Sequence, residues 1–217
     1  MKTFLSIGTG PGIGIETAAR FASEGFRVVL ASRDTGKTDE IAKAIRAKGG
    51  EVVVKHVDAS KPSAVATLVK NVQKNFGQID VLHYNAATLR HATIADQPLG
   101  TFVDDLAVNI GGALAAIQTA GPAMREKKEG TILLTGGGFA LFPHPEYLSI
   151  SIGKAGIRAL AQGLFEDYKA HGVHVATVTV AGFVSPGTSQ TSDIAEHFWK
   201  LHAQSVDDWT VETVYEP

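Results

Sequence analysis

The chain has no cysteine, and that absence removes disulfides, thiolate nucleophiles and cysteine-ligated zinc together. Such a composition suits a reducing compartment, and a cytoplasmic location is the expectation. An excess of either charge is also missing: 20 Lys and Arg stand against 22 Asp and Glu, a net charge of −2. With no basic run interleaved with aromatics, nucleic acid is not an expected partner. No apolar stretch nears the ~20 residues that a membrane-crossing helix needs, and a strand-like run begins almost at Met1, so neither membrane insertion nor secretion is expected. The histidines offer no metal: His171 with His174 and His197 with His202 lack a third ligand at a recognised spacing. Repeats and low-complexity linkers are absent. At 217 residues and 44% hydrophobic content, the expectation is one domain over residues 1–217 that buries roughly 70 per cent of its unfolded surface.

What is present is an alternation of short apolar runs and helical patterns, which predicts an α/β fold: a single doubly wound parallel sheet covered by helices on both faces. The runs are Thr3–Ile7, Arg27–Ala31, Glu51–Val57, Ile79–Tyr84, Thr131–Leu134 and His174–Val180, with the alternating Thr210–Tyr215 as a closing edge strand. Val65, Leu68, Val69, Val72 and Phe76 follow helical spacing, with Ser60 as the expected N-cap, Pro62 just inside and Gly77 as terminator. Further helices are expected from about Phe102 to Met124 and from Gly153 to Ala170.

The first run leads into Gly8-Thr9-Gly10-Pro11-Gly12-Ile13-Gly14 and then a helical segment. Glycines there let the backbone turn tightly, approach a pyrophosphate and aim the first helical amides at it. A ligand-free tight turn would look similar by glycine spacing alone; the strand before, the helix after and a second strand at Arg27 favour a nucleotide.

From these residues onward the chain resembles the short-chain dehydrogenase/reductase family along nearly its whole length. Gly8, Gly12 and Gly14 match its Gly-x-x-x-Gly-x-Gly turn, Asp58 its acidic adenine contact, and Asn85-Ala86-Ala87 its Asn-Ala-Gly. Asn109 and Lys154 match two members of its catalytic tetrad, and Ala181-Gly182 stands for its Pro-Gly. The resemblance implies a cofactor site built from Gly8, Gly10, Ile13, Gly12, Gly14, Ser32, Arg33, Asp58, Ala59, Asn85, Ala86, Lys154, Gly182 and Val184, and a substrate lid at about residues 185–203. It also implies a homo-oligomer joined through the helices around Phe102–Met124 and Gly153–Ala170. Two tetrad positions depart from the pattern: the serine falls on Gly137 and the tyrosine on Ile150.

Cofactor choice is read at the end of the second strand. An acid there would hold the adenosine ribose and repel a 2′-phosphate, whereas this chain has Ser32-Arg33, which favours NADP, with NAD as the alternative. The same feature speaks against a methyltransferase that holds S-adenosylmethionine by an acid at this point. Neither Ile150 nor Gly137 can donate a proton, and positioned acid–base groups typically contribute about 10²–10⁴ in rate. Replacement acids are few. Tyr147 is a weak candidate whose direction Pro143 and Pro145 leave open; His144 titrates in a suitable range; Ser149 and Ser151 read better as caps. The amides of Gly136–Gly138 could form an anion nest, but crowding at a strand end explains small residues there more simply. The expectation is an NADP(H)-dependent oxidoreductase acting on a small carbonyl or alcohol, with Asn109, Lys154 and Tyr147 as its candidate catalytic residues and a non-standard proton route. The alternative is a catalytically silent NADP(H)-binding regulatory or scaffold protein.

Overall fold

Seven parallel strands form one sheet in the order β3-β2-β1-β4-β5-β6-β7 in the computed structural model, which describes all residues 1–217. The elements run β1 (Thr3–Ile7), α1 (Ile13–Ser23), β2 (Arg27–Ser32), α2 (Thr35–Ala47), β3 (Val52–His56), α3 (Pro62–Phe76), β4 (Val81–Tyr84) and α4 (Thr101–Leu106). A π-helical turn, Ala107–Gly111, joins α4 to α5 (Gly112–Lys127). Then come β5 (Gly130–Thr135), a 3₁₀ turn Gly138–Ala140, α6 (Leu148–Lys169), β6 (Val173–Val180), α7 (Ser189–Ala203) and β7 (Glu212–Tyr215).

Strands such as VHVATVTV in β6 are buried at every position because helices cover both faces. One face carries the larger core, with Val65, Leu68 and Val72 of α3, Ile117 and Met124 of α5 and Ile157 of α6. The other packs Ala18 and Phe21 of α1, Ala42 and Ile45 of α2, and Ile194, Phe198 and Leu201 of α7. Strand order reverses between β1 and β4, where the chain leaves the sheet on opposite sides. That reversal opens a crevice at the carboxyl ends of the strands, the place where such sheets hold ligands.

Several local expectations need correction. Ser60 does not cap α3: the cap position is Lys61, which makes no side-chain cap bond, and Ser60 Oγ donates instead to Asp58 Oδ1 at 2.7 Å. Helix α6 starts five residues earlier than the apolar pattern implied, at Leu148, with Tyr147 at its cap. The Phe102–Met124 segment is broken by the π turn rather than continuous. Helix α2 is an element not assigned from the sequence; Asp34 caps it, accepting a bond from Lys37 N at 3.0 Å. Residues 185–203 need no such change: a loop is followed by the helix α7, whose Ile194, Phe198 and Leu201 face the core as their spacing implies.

Candidate functional site

At the head of the crevice the glycine turn is held by the sheet. Gly8 has φ +88°, and a Cβ there would overlap the backbone of Ala86, so only glycine lets β1 pass this close to the Asn85-Ala86-Ala87 segment. Asn85 fixes the turn from the other side: its Nδ2 donates to the Gly8 carbonyl at 2.9 Å. A Cβ on Gly14 would lie 3.0 Å from Thr9 Cα, which keeps α1 tight against the turn. Gly12 differs. A Cβ there would meet only Pro186 and Thr191 at 3.8 and 3.9 Å, so Gly12 looks across a gap at the loop between β6 and α7. The N-terminus of α1 carries no side-chain cap, which leaves its first amides directed at that gap.

A cleft of about 650 Å³ extends from this turn. Gly8, Thr9 and Gly10 line it, with Ser32, Arg33, Asp34, Lys37, Asp58, Ala59, Asn85 and Ala86. Ser32 Oγ is not free: it contacts Thr38 Oγ1 at 2.6 Å and the Asp34 carbonyl at 3.1 Å. The polar end of the cleft is therefore formed by the exposed Arg33, Lys37, Asp34 and Glu40, with Lys37 3.4 Å from Asp34 and Arg33 in no ion pair. Lys37 was missed in the sequence because α2 was; Arg33 followed four residues later by a lysine in a capped first turn is the signal that could have found it. Asp58 Oδ1 accepts from both Ser60 Oγ and Ser60 N. Those bonds hold its carboxyl below the usual range, with Lys61 and Arg33 adding to the effect.

The second half of the crevice holds the residues matched to the tetrad. Asn109 sits in the π turn and is 2% exposed. Its Oδ1 accepts from Thr88 N at 2.6 Å and its Nδ2 donates to Thr88 O at 3.2 Å. Both ends of the carboxamide thus clamp the segment that follows Asn85-Ala86-Ala87. Lys154, on α6, lies with its stem across Gly137: a Cβ on Gly137 would be 3.2 to 3.4 Å from Lys154 Cγ, Cδ and Cε. The lysine stem therefore crowds the volume that a serine side chain would need. Its Nζ donates to the Thr135 carbonyl at 2.6 Å, and burial lowers its pKa to about 8. Ile150 is 3% exposed and part of the packed α6 face.

The other candidates separate by geometry. Tyr147 stacks on Phe139 at 5.2 Å and lies within 6.1 Å of Phe183, 5.1 Å of His91 and 5.6 Å of His144. It belongs to an aromatic cluster at the mouth of the crevice, beside the ends of β5 and β6. His144 is exposed there, accepting from Glu146 N at 3.2 Å. Ser151 Oγ donates back to the Tyr147 carbonyl at 2.8 Å. Ser149 is buried with its hydroxyl unpartnered. No nest forms at Gly136–Gly138: Gly136 N donates to Val178 O at 2.9 Å, and Gly137 is extended. Crowding explains the glycines, since a Cβ on Gly136 would be 2.7 Å from Thr177 and Thr179 Oγ1, and one on Gly138 would be 3.0 Å from Ala181 Cα. Gly182 packs against Pro217, while Val184 rests on the second core.

A buried polar chain, not foreseen from the sequence, ties the two halves together. Ser6 Oγ lies 3.4 Å from His83 Nδ1, His83 Nε2 lies 3.1 Å from Thr135 Oγ1, and Thr135 Oγ1 donates to Asn85 Oδ1 at 2.9 Å. Because Thr135 spends its proton on Asn85, it accepts from His83, which places the histidine proton on Nε2 and leaves Nδ1 to accept from Ser6. The chain runs from Lys154 through Thr135 and Asn85 to Gly8.

The sequence profile of the short chain dehydrogenases matches residues 2–196, and this chain belongs to that family. An uncharacterized oxidoreductase of Staphylococcus saprophyticus is 28% identical over 223 residues, spanning 100% of this chain and 92% of the relative. A glucose 1-dehydrogenase of Gluconobacter oxydans is 30% identical, covering 91% and 75% of the two chains. Among solved structures, a metagenomic short-chain oxidoreductase in complex with NADP superposes with a TM-score of 0.92 at 26% identity, covering 100% and 97%. The chain is thus an oxidoreductase by family, with a seven-stranded sheet of the same type as its relatives.

Proposed function

We propose that this protein is an NADP(H)-dependent oxidoreductase that interconverts a small carbonyl compound and its alcohol, by a proton route that does not use the family's serine and tyrosine. The observation that carries the cofactor reading is Arg33, exposed and without an ion-pair partner at the end of the second strand where an acid would exclude a 2′-phosphate, while Asp34 beside it is engaged by Lys37 and the α2 cap. The NADP-bound relative points the same way. In this reading the amides around Gly10, Gly12, Ile13 and Gly14 receive the pyrophosphate, and Asp58 with Ala59 borders the adenine. Asn85 and Ala86 flank the ribose, Lys154 holds the nicotinamide ribose, and Gly182 and Val184 border the nicotinamide. NADPH, when bound, supplies the hydride. The loop of residues 181–188 is the movable part of the lid, anchored by α7, and the aromatic cluster of Phe139, Tyr147 and Phe183 walls the substrate side.

Calorimetry at one salt concentration tests the cofactor reading. NADPH should bind at least tenfold more tightly than NADH, since a charge-assisted bond to phosphate contributes roughly 1.5–3 kcal/mol. Arg33→Ala should erase most of that difference and Lys37→Ala part of it. Equal affinities in the unmodified protein would reject it. A second reading is favoured by one specific observation: the serine and tyrosine positions are filled by the Lys154 stem and a packed isoleucine. On that reading the chain binds NADP(H) without turning it over, and cofactor occupancy controls a partner. NADPH binding with no oxidation across a broad carbonyl panel would select it.

A further inference from the structure

We propose that Lys154 is itself the proton donor of the reaction, taking the place of the absent phenol; this rests on the oxidoreductase reading above. The geometry leads there by what surrounds the ammonium. Its stem lies along Gly137, which offers no hydroxyl at the family's serine position, and Ile150, four residues earlier on α6, offers nothing to relay through. Of three N–H bonds on Nζ, the Thr135 carbonyl takes one; of the two that the protein leaves unclaimed, one would serve the nicotinamide ribose and the other the carbonyl oxygen. No carboxylate pairs with the lysine. On the elements packed against α6, Asp105 is engaged by Arg90 at 2.7 Å, Asp104 is exposed on the outer side of α4, and Glu212 is engaged by Arg158 at 2.9 Å. His174 stacks on Trp209, and Arg125 of α5 pairs with Asp167. His83, through Thr135, is neutral, with its pKa pushed down to about 3 by burial. A buried ammonium that no carboxylate compensates gives up its proton readily. Burial accordingly lowers the lysine to about 8, inside the range where a general acid works best near neutral pH.

The step balances simply. As the carbonyl carbon receives hydride from the nicotinamide, an N–H bond of Lys154 breaks and an O–H bond forms on the carbonyl oxygen. The neutral amine that remains regains a proton from solvent before the next turnover. In the alcohol-to-carbonyl direction, the neutral amine takes the hydroxyl proton.

The absence of native cysteine allows a clean test. In protein labelled with [6-¹³C]lysine, the resonance lost in Lys154→Arg identifies Lys154, and its shift is followed with pH in the free protein. The midpoint should fall near 8 rather than at the ordinary ~10.4. Carbonyl reduction should fall off above that midpoint. Lys154→Arg keeps a cation but cannot release a proton, so it should lose at least a hundredfold in kcat at saturating NADPH, whatever it does to cofactor affinity. Lys154→Cys alkylated to thialysine, a weaker base, should recover turnover with the alkaline limb displaced to lower pH. The limb should stay in place in Tyr147→Phe, whatever that change does to the rate. A Lys154 midpoint in the ordinary range, an active Lys154→Arg, or a limb that vanishes with Tyr147 would each overturn the assignment. Failure of NADPH to bind at all would instead sink the reading on which it rests.

Discussion

His83 is fully enclosed in the sheet between Ser6 and Thr135, and its protonation is opposed by burial, with Lys154 adding to the effect. Its folded pKa of about 3 lies below the unfolded ~6.5, so the unfolded chain binds the extra proton first. The histidine's contribution is therefore whole above pH 6.5 and is lost as pH falls toward 3, at no more than about 1.4 kcal/mol per pH unit. Urea unfolding of His83→Gln should show a flatter decline than the unmodified protein between pH 6.5 and 4; parallel curves would reject the buried neutral histidine. Glycines of the turn should separate by what they face. Gly12→Val adds a Cβ that meets Pro186 and Thr191 only at ordinary contact distance, so melting should change little while NADPH binding is lost. Gly14→Val strikes Thr9 and Asn85 and should lower the melting temperature itself. If Gly12→Val binds NADPH normally, the phosphate site is misplaced.

At the scale of elements, most strands were legible to within two residues because buried parallel strands read as Val/Ile runs and α3 carries a clear apolar stripe. Helix α2 was not legible: its mean hydropathy is low, and only Ala42, Ile45 and Thr38 face inward. The start of α6 was hidden by Pro143 and Pro145, which signal extended chain, whereas the helix opens with Ser151 N donating to Tyr147 O at 2.9 Å, joined there by Ser151 Oγ. The π turn has no sequence signal of its own. It is set by tertiary fit, since it brings Asn109 against Gly153, where a Cβ would overlap Asn109 Cβ. Gly153→Ala should therefore cost about 1–3 kcal/mol of stability in denaturant melts and loosen the Thr88 clamp; an unchanged melt would contradict that contact. At the site, the glycine turn, Asp58, Asn109 and Lys154 were readable by motif, while Lys37 and the His83–Thr135–Asn85 chain were not. Those depend on which side chains meet across strands.

For the molecule as a whole, no helix is long and apolar enough to cross a membrane, and the exposed apolar side chains, among them Leu89, Ile94 and Leu99 between β4 and α4, include two further groups. Phe142 and Phe183 are exposed at the crevice mouth; Val103, Leu114 and Ile152 are exposed on α4, α5 and α6. The second group is expected to join two copies, and light scattering should give a dimer that Leu114→Glu with Ile152→Glu converts to a monomer; a monomeric unmodified protein would reject it. In the proposed reading the first group borders the substrate entrance. The central claim, that this site still carries out reduction despite Gly137 and Ile150, is tested most directly with NADPH bearing deuterium on both positions of C4. Incubated with a broad carbonyl panel, the protein should yield at least one alcohol heavier by a single deuterium on the carbinol carbon. Saturated NADPH binding with no deuterium in any product would contradict the claim and leave a binding protein.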